Sequence, residues 1–308
     1  MFSSQPKAGL GLDIGTTNIR LIQIKRKKET LEINSIAIQD IEGSPAKTLK
    51  NLINSLKLEA KAVSTNLSGQ GVVMRYIEMP SMTSEELHSA IRFEAEKYIP
   101  FPVNEVILDA KVIKEQYKGN KMLVLLVAAK KELIQNRLNL LNSVGLEAAV
   151  IDIDSLAVVN AFNLFRSKTP AEKKEEKPQP KALLNIEDST ACLSILEEEL
   201  PVFSRDIILT EKGISIERSE SALINLANEV RLSFDFYESQ GNSPVLTLFL
   251  SGAIKKIQGL EMFLNQNLGA EVKTWNPISK ITLNPGLDEG VFKDREGELA
   301  VVLGLALR

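Results

Sequence analysis

The chain has 308 residues, 44% of them apolar and 25% charged, with a formal net charge of −3. That is the composition of a soluble globular protein long enough for two lobes with real cores, and it gives no electrostatic reason to expect nucleic-acid binding. Cys192 is the only cysteine and His88 the only histidine, which excludes an internal disulfide and nearly excludes a histidine zinc centre or an internal Ser-His-Asp triad.

Met1 to Ala8 lacks the apolar core of a signal peptide, and no run reaches the about 20 apolar residues that span a bilayer. The expectation is a cytoplasmic protein. Three strands open the chain, at Gly9–Ile14, Asn18–Lys25 and Thr30–Gln39. The basic cluster Lys25-Arg26-Lys27-Lys28 reads as the solvated tip of the second hairpin. A helix from Pro45 to Leu56 follows, with proline suited to its first turn, then strands at Ala62–Asn66 and Gly71–Glu78. Met79-Pro80 marks a break. Thr83 and Glu86 are spaced as a capping box, with Met82 and Leu87 able to staple across it. The helix they start carries Leu87, Ala90, Ile91 and Tyr98 and ends at Pro100. Strands at Val103–Ile113 and Met122–Ala129, a helix from Lys131 to Val144 closed by Gly145, a strand at Ala148–Ile153 and a helix from Ser155 to Phe165 complete the first half.

Residues Ser167 to Lys181 are charged, contain proline and lack large apolar side chains, so they read as a linker or surface loop. Beyond them the opening order returns: strands at Ala182–Ile186, Ala191–Leu196 and Leu200–Ile207, then a helix at Ser219–Tyr237. Strand Val245–Leu250, helix Ile257–Leu268 and strand Ala270–Thr274 follow. Leu12-Asp13-Ile14-Gly15-Thr16-Thr17 aligns with Leu184-Asn185-Ile186-Glu187-Asp188-Ser189, which suggests an internal duplication. The boundaries predicted are a first lobe over 1–166 with a small α+β subdomain inserted at about 80–145, and a second lobe over 182–308. The last helix, Leu299–Leu307, is apolar nearly all round and lacks the basic face of a membrane-surface helix, so it is expected to bury itself back against the first lobe.

The turn Asp13-Ile14-Gly15-Thr16-Thr17-Asn18 carries the clearest chemistry. An acid ends a strand, a glycine allows positive φ or a close backbone approach, and small hydroxyl and amide residues leave N–H groups free to face an anion. A carboxylate beside such a turn can hold hydrated Mg²⁺. A plain glycine-containing hairpin is the alternative.

With these segments in place, the chain resembles the actin/Hsp70/sugar-kinase ATPase superfamily and, within it, the PilM family of FtsA-like type IV pilus assembly proteins. The resemblance rests on Gly11–Thr17, on Arg75-Tyr76-Ile77-Glu78-Met79-Pro80, on Glu94-Ala95-Glu96-Lys97-Tyr98-Ile99-Pro100-Phe101-Pro102 and on Gly304-Leu305-Ala306-Leu307-Arg308. It implies an α/β actin-like fold of two duplicated lobes with the inserted subdomain. It also implies a site for ATP and Mg²⁺ built from Asp13, Gly15, Thr16, Thr17 and Asn18, with Asp13 nearest the metal. Asp154, or Asp152 beside it, would supply a further acid unless Asp154 only caps its helix. Asn185 and Gly252 would come from the second half. Two departures weaken that site: Asn185-Ile186-Glu187 stands where Asp-Ile-Gly is usual, and Ala253 where a second glycine is. The segment Leu209–Arg218 also looks shorter than its counterparts.

As a PilM-like protein the chain would be a scaffold, peripheral to the inner membrane, that binds the cytoplasmic N-terminal tail of a PilN-like membrane protein. Self-association is the other partner reading. The tail would lie between the first lobe and the subdomain, against Phe93, Tyr98, Ile99, Phe101 and Pro102. The competing reading takes those side chains as core. An active ATPase or small-molecule kinase of the superfamily is the alternative function, and a kinase would need a base placed on a substrate hydroxyl.

Overall fold

The computed structural model describes residues 8–27, 30–58, 60–117, 119–166, 179–187, 189–209 and 220–308. The charged stretch 167–178, Lys28 and most of the 209–218 segment lie outside the described residues. Three sheets organise the chain. In the first, β1 (Ala8–Ile14), β2 (Asn18–Lys27) and β3 (Thr30–Asp40) form an antiparallel meander, and β4 (Ala62–Leu67) and β8 (Glu147–Ile153) add parallel to β1. In the second, β9 (Lys181–Ile186), β10 (Thr190–Glu197) and β11 (Leu200–Ile208) repeat the meander, with β12 (Thr247–Gly252) and β13 (Glu271–Thr274) parallel on the far side. Strand order and sense match through five strands, 3-2-1-4-8 against 11-10-9-12-13. This is the duplicated, mixed α/β architecture of an actin-like ATPase fold.

A third sheet, of three strands, lies between β4 and β8 in sequence. It pairs β5 (Val72–Pro80) and β6 (Val106–Lys114) antiparallel with β7 (Lys121–Lys130). The strand ahead of the Met79-Pro80 break thus runs in this small sheet. The helix after β7, at Lys131–Ser143, instead sends Leu141 into the core of the first lobe. The helix over the small sheet runs from Ser84 to Ala95, started by the full Thr83–Glu86 capping box, and buries Leu87, Ile91 and Ala95. It stops a turn short of Pro100, which leaves Tyr98 off its face.

The largest core joins the lobes. The helix at Asp154–Arg166 carries Phe162 and Phe165 against Phe249 and Trp275 of the second half, with the Phe162 and Trp275 rings edge-on at 5.2 Å. Beside it the last helix, Ala300–Ala306, is buried at every residue. It lies against β1 and the Asp154–Arg166 helix so closely that a Cβ on Gly304 would stand 1.7 Å from the Ala157 carbonyl oxygen. The chain reaches that place through a short strand, β14 (Thr282–Leu283), which pairs with β3 and which the sequence pattern does not announce. Among the described residues no helix is long and apolar enough to cross a membrane.

Candidate functional site

The cleft between the lobes is framed by the turns that follow β1 and β9. Both close with the same backbone bonds. Gly15 N–H donates to the Asn18 carbonyl at 3.0 Å, and Glu187 N–H to the Thr190 carbonyl at 2.8 Å. Ile41 N–H reaches Thr17 at 2.8 Å, and Leu209 N–H reaches Ser189 at 3.0 Å. Gly15 and Glu187 are therefore equivalent positions, as are Asp13 and Asn185. The equivalence extends to the neighbouring parallel strands. Asn66 on β4 donates to Asp13 Oδ1 at 2.7 Å, and Ser251 on β12 donates to Asn185 Oδ1 at 2.8 Å.

Side chains break this symmetry. Asp13 pairs across the hairpin with Arg20, whereas Asn185 pairs with Cys192. Arg20 is 2% exposed and crosses from the first sheet to the second. Its Nη1 lies 2.8 Å from Asp13 Oδ2, its Nη2 2.7 Å from Glu187 Oε2 and 3.6 Å from Glu298 Oε2. Glu298 in turn accepts both Nε and Nη2 of Arg295, at 3.0 and 2.8 Å. Asn185 Nδ2 donates to Glu187 Oε1 at 3.1 Å. Burial works to lower the Arg20 pKa, but Glu187, Asp13 and Glu298 together hold it above the usual arginine value. Glu187 is raised, by burial first, although Arg20 opposes the rise.

Asn66 also donates to Asp154 Oδ1 at 2.7 Å, so one amide holds two carboxylates together. Desolvation and then the charge of Asp13 push Asp154 up to about 8. Arg137 approaches the same corner, 3.4 Å from Thr65 Oγ1 and 3.5 Å from the Ile14 carbonyl. Asp152 faces elsewhere, paired at 2.5 Å with Arg308 at the chain end.

The structure brings Asp13, Asp154, Asn185 and the Gly15 turn to one cleft. Thr16 and Thr17 are exposed at the tip, and Asn18 is buried with its Nδ2 3.4 Å from Thr17 Oγ1. Gly15 does not take positive φ, so close approach is what it offers. Gly252 does, at φ +87°, and a Cβ there would stand 2.0 Å from the Ile186 carbonyl oxygen. A cavity of about 970 Å³ opens beside it, lined by Gly252, Ile254, Lys255, Trp275, Arg295 and Glu298 among others. Between the turns, each oxygen of Asp13 accepts a hydrogen bond, and the Glu187 carboxylate meets the Arg20 guanidinium.

The five residues read as a peptide surface divide. Phe93 is 79% exposed, Tyr98 36% exposed, and Pro102 is exposed. Ile99 is buried in the core of the small subdomain, which corrects its reading as a surface anchor: it fills the space under the helix exit. Phe101 is half-buried on that core with Lys130 Nζ 4.7 Å above its ring. A nearby groove of about 320 Å³ between the capped helix and β6 is lined by His88, Ile91, Arg92, Val103, Val106 and Leu108, with none of the five.

The family model of type IV pilus assembly protein PilM matches residues 11–210 and 222–308. The chain belongs to the PilM family. A solved PilM-PilN type IV pilus biogenesis complex contains a chain 25% identical to this one, over 99% of both chains, with a TM-score of 0.84. A Bacteroides thetaiotaomicron protein of actin-like ATPase fold and unknown function is 12% identical over 88% of this chain and 91% of its own, with a TM-score of 0.53, a likeness of fold alone. Sequence reasoning missed Arg20, Asn66, Glu298 and Arg137. Arg20 had a signal, as the one cation in the apolar run Ile19–Ile24, directly across a tight hairpin from an acid.

Proposed function

We propose that this chain is an actin-like adaptor of type IV pilus assembly that binds the cytoplasmic N-terminal tail of a PilN-like inner-membrane protein. It sits peripheral to the inner membrane through that partner. The observation that carries this reading is the likeness, over 99% of both chains, to a protein solved in a PilM-PilN complex. Fold by itself would not identify a function. The reading keeps lobes at 1–166 and 182–308 and a nucleotide site eroded at Asn185 and Glu187. The subdomain offers the docking surface, in which Phe93, Tyr98 and Pro102 are the accessible anchors, while Ile99 and Phe101 support them from beneath.

Isothermal titration with a synthetic peptide of the cognate PilN-like tail tests this. Phe93→Ala and Tyr98→Ala should each weaken binding by about tenfold or more with an unchanged melting temperature, since desolvated aromatic anchors dominate such contacts. Ile99→Ala should instead lower the melting temperature. If the parent chain does not bind the peptide, the reading fails.

A further inference from the structure

We propose that Glu187 is a built-in occupant of the phosphate region, and that Arg20 is a latent anion-binding residue which Glu187 covers. Glu187 lies at the position equivalent to Gly15, on a turn with the same backbone closure, so its side chain projects where the other turn has none. Its carboxylate meets the Arg20 guanidinium at 2.7 Å across the cleft, a charge-assisted bond of the length an external phosphate oxygen would make. Arg20 is almost fully buried and comes from the opposite lobe. The bond therefore ties β2 to the turn after β9 without any ligand. Asn185 steadies it by donating to the second oxygen of Glu187, and Ser251 fixes Asn185 in turn.

Arg20 remains under-satisfied at Nε, which is buried without a hydrogen-bond partner. Its fork is otherwise shared among Asp13, Glu187 and Glu298, so removing Glu187 leaves the cation held in place and one face of it open. A phosphoryl ligand can reach that face only by displacing Glu187, and the like charge of the carboxylate opposes its approach. The clasp and a polyanion are thus mutually exclusive occupants of one site. This rests on the reading that the second turn is eroded, and it adds a physical stopper to the loss of glycine and aspartate.

Calorimetric titrations of parent, Glu187→Gln, Glu187→Ala and Glu187→Ala/Arg20→Met with Mg-ATP and with inorganic tripolyphosphate separate the two ideas. The parent should bind both weakly, and tight binding by the parent would overturn the erosion reading itself. Both single variants should bind at least tenfold more tightly than the parent, tripolyphosphate included, and the double variant should lose the gain. If neither single variant gains, or if the gain survives Arg20→Met, the clasp proposal is overturned while weak parental binding still stands. Thermal unfolding with and without tripolyphosphate covers a destabilised variant. A Glu187→Gln melting temperature that falls and is restored by tripolyphosphate supports the proposal, and a fall that is not restored overturns it.

Discussion

At the Asp13–Asn18 turn the residue Gly15 has no side chain, while the equivalent residue of the turn after β9 is Glu187, although both make the same backbone hydrogen bonds. Across each hairpin the partners also differ, Arg20 opposite Asp13 and Cys192 opposite Asn185. The comparison teaches that turn geometry and ligand chemistry are separable. Ladder register follows the apolar alternation and the backbone closure fixes the turn, and neither depends on which polar group stands at the Gly15 or Glu187 position. The side chains can then drift to a new balance of charge, provided that every buried ion keeps a partner. Here the cation and one anion, Asp13, come from the first half, and the second half adds Glu187 and Glu298 facing it.

Removing that cation should break the comparison hardest. Arg20→Met leaves Asp13, Glu187 and Glu298 without their shared partner, and about 3–5 kcal/mol of stability should be lost in urea unfolding, as expected when one member of a buried ion pair is deleted. A loss below about 1 kcal/mol would mean that solvent already screens the cluster. The next effect falls where the second half alone closes tightly. Leu12 pairs with Thr65 and Leu184 with Leu250, so by register Leu67 matches Gly252. Only Gly252 lies under the neighbouring strand with positive φ, and Gly252→Ala should cost about 3 kcal/mol through strain and displacement of the Ile186 carbonyl. An unchanged melting temperature would contradict that crowding.

The smallest change sharpens the first turn alone. Asp154 holds its proton in the folded chain up to about 8, against 3.8 as its ordinary value, so the folded state binds more protons than the unfolded one throughout that window. Stability should therefore fall as pH rises from about 4 to about 8. Asp154→Asn should flatten the decline and leave the variant about 1–2 kcal/mol more stable at pH 8. That is well under the roughly 6 kcal/mol that full linkage between 3.8 and about 8 would give at about 1.4 kcal/mol per pH unit, because the side chain keeps partial exposure. Parallel pH profiles for parent and variant would refute it.

Much of the molecule follows from local physics, and there the residues speak for themselves. The Pro45–Leu56 helix, the Thr83–Glu86 capping box and the repeated three-strand meanders all arise from interactions within a few residues or from simple alternation. Family membership was likewise legible, because the Glu94–Pro102 run and the Gly11–Thr17 loop lie contiguous in the chain. What only the tertiary structure decided has partners far apart in sequence. Arg20 finds Glu187 at a separation of 167 residues, and Ile99 turns inward at the exit of its helix while Phe93 and Tyr98 stay out. β14 joins β3 and the last helix slots beside Gly304's neighbour Ala157, contacts that no periodicity encodes. An apolar or charged residue shows in the sequence that it needs a partner, but which one it meets depends on how the two lobes close on each other.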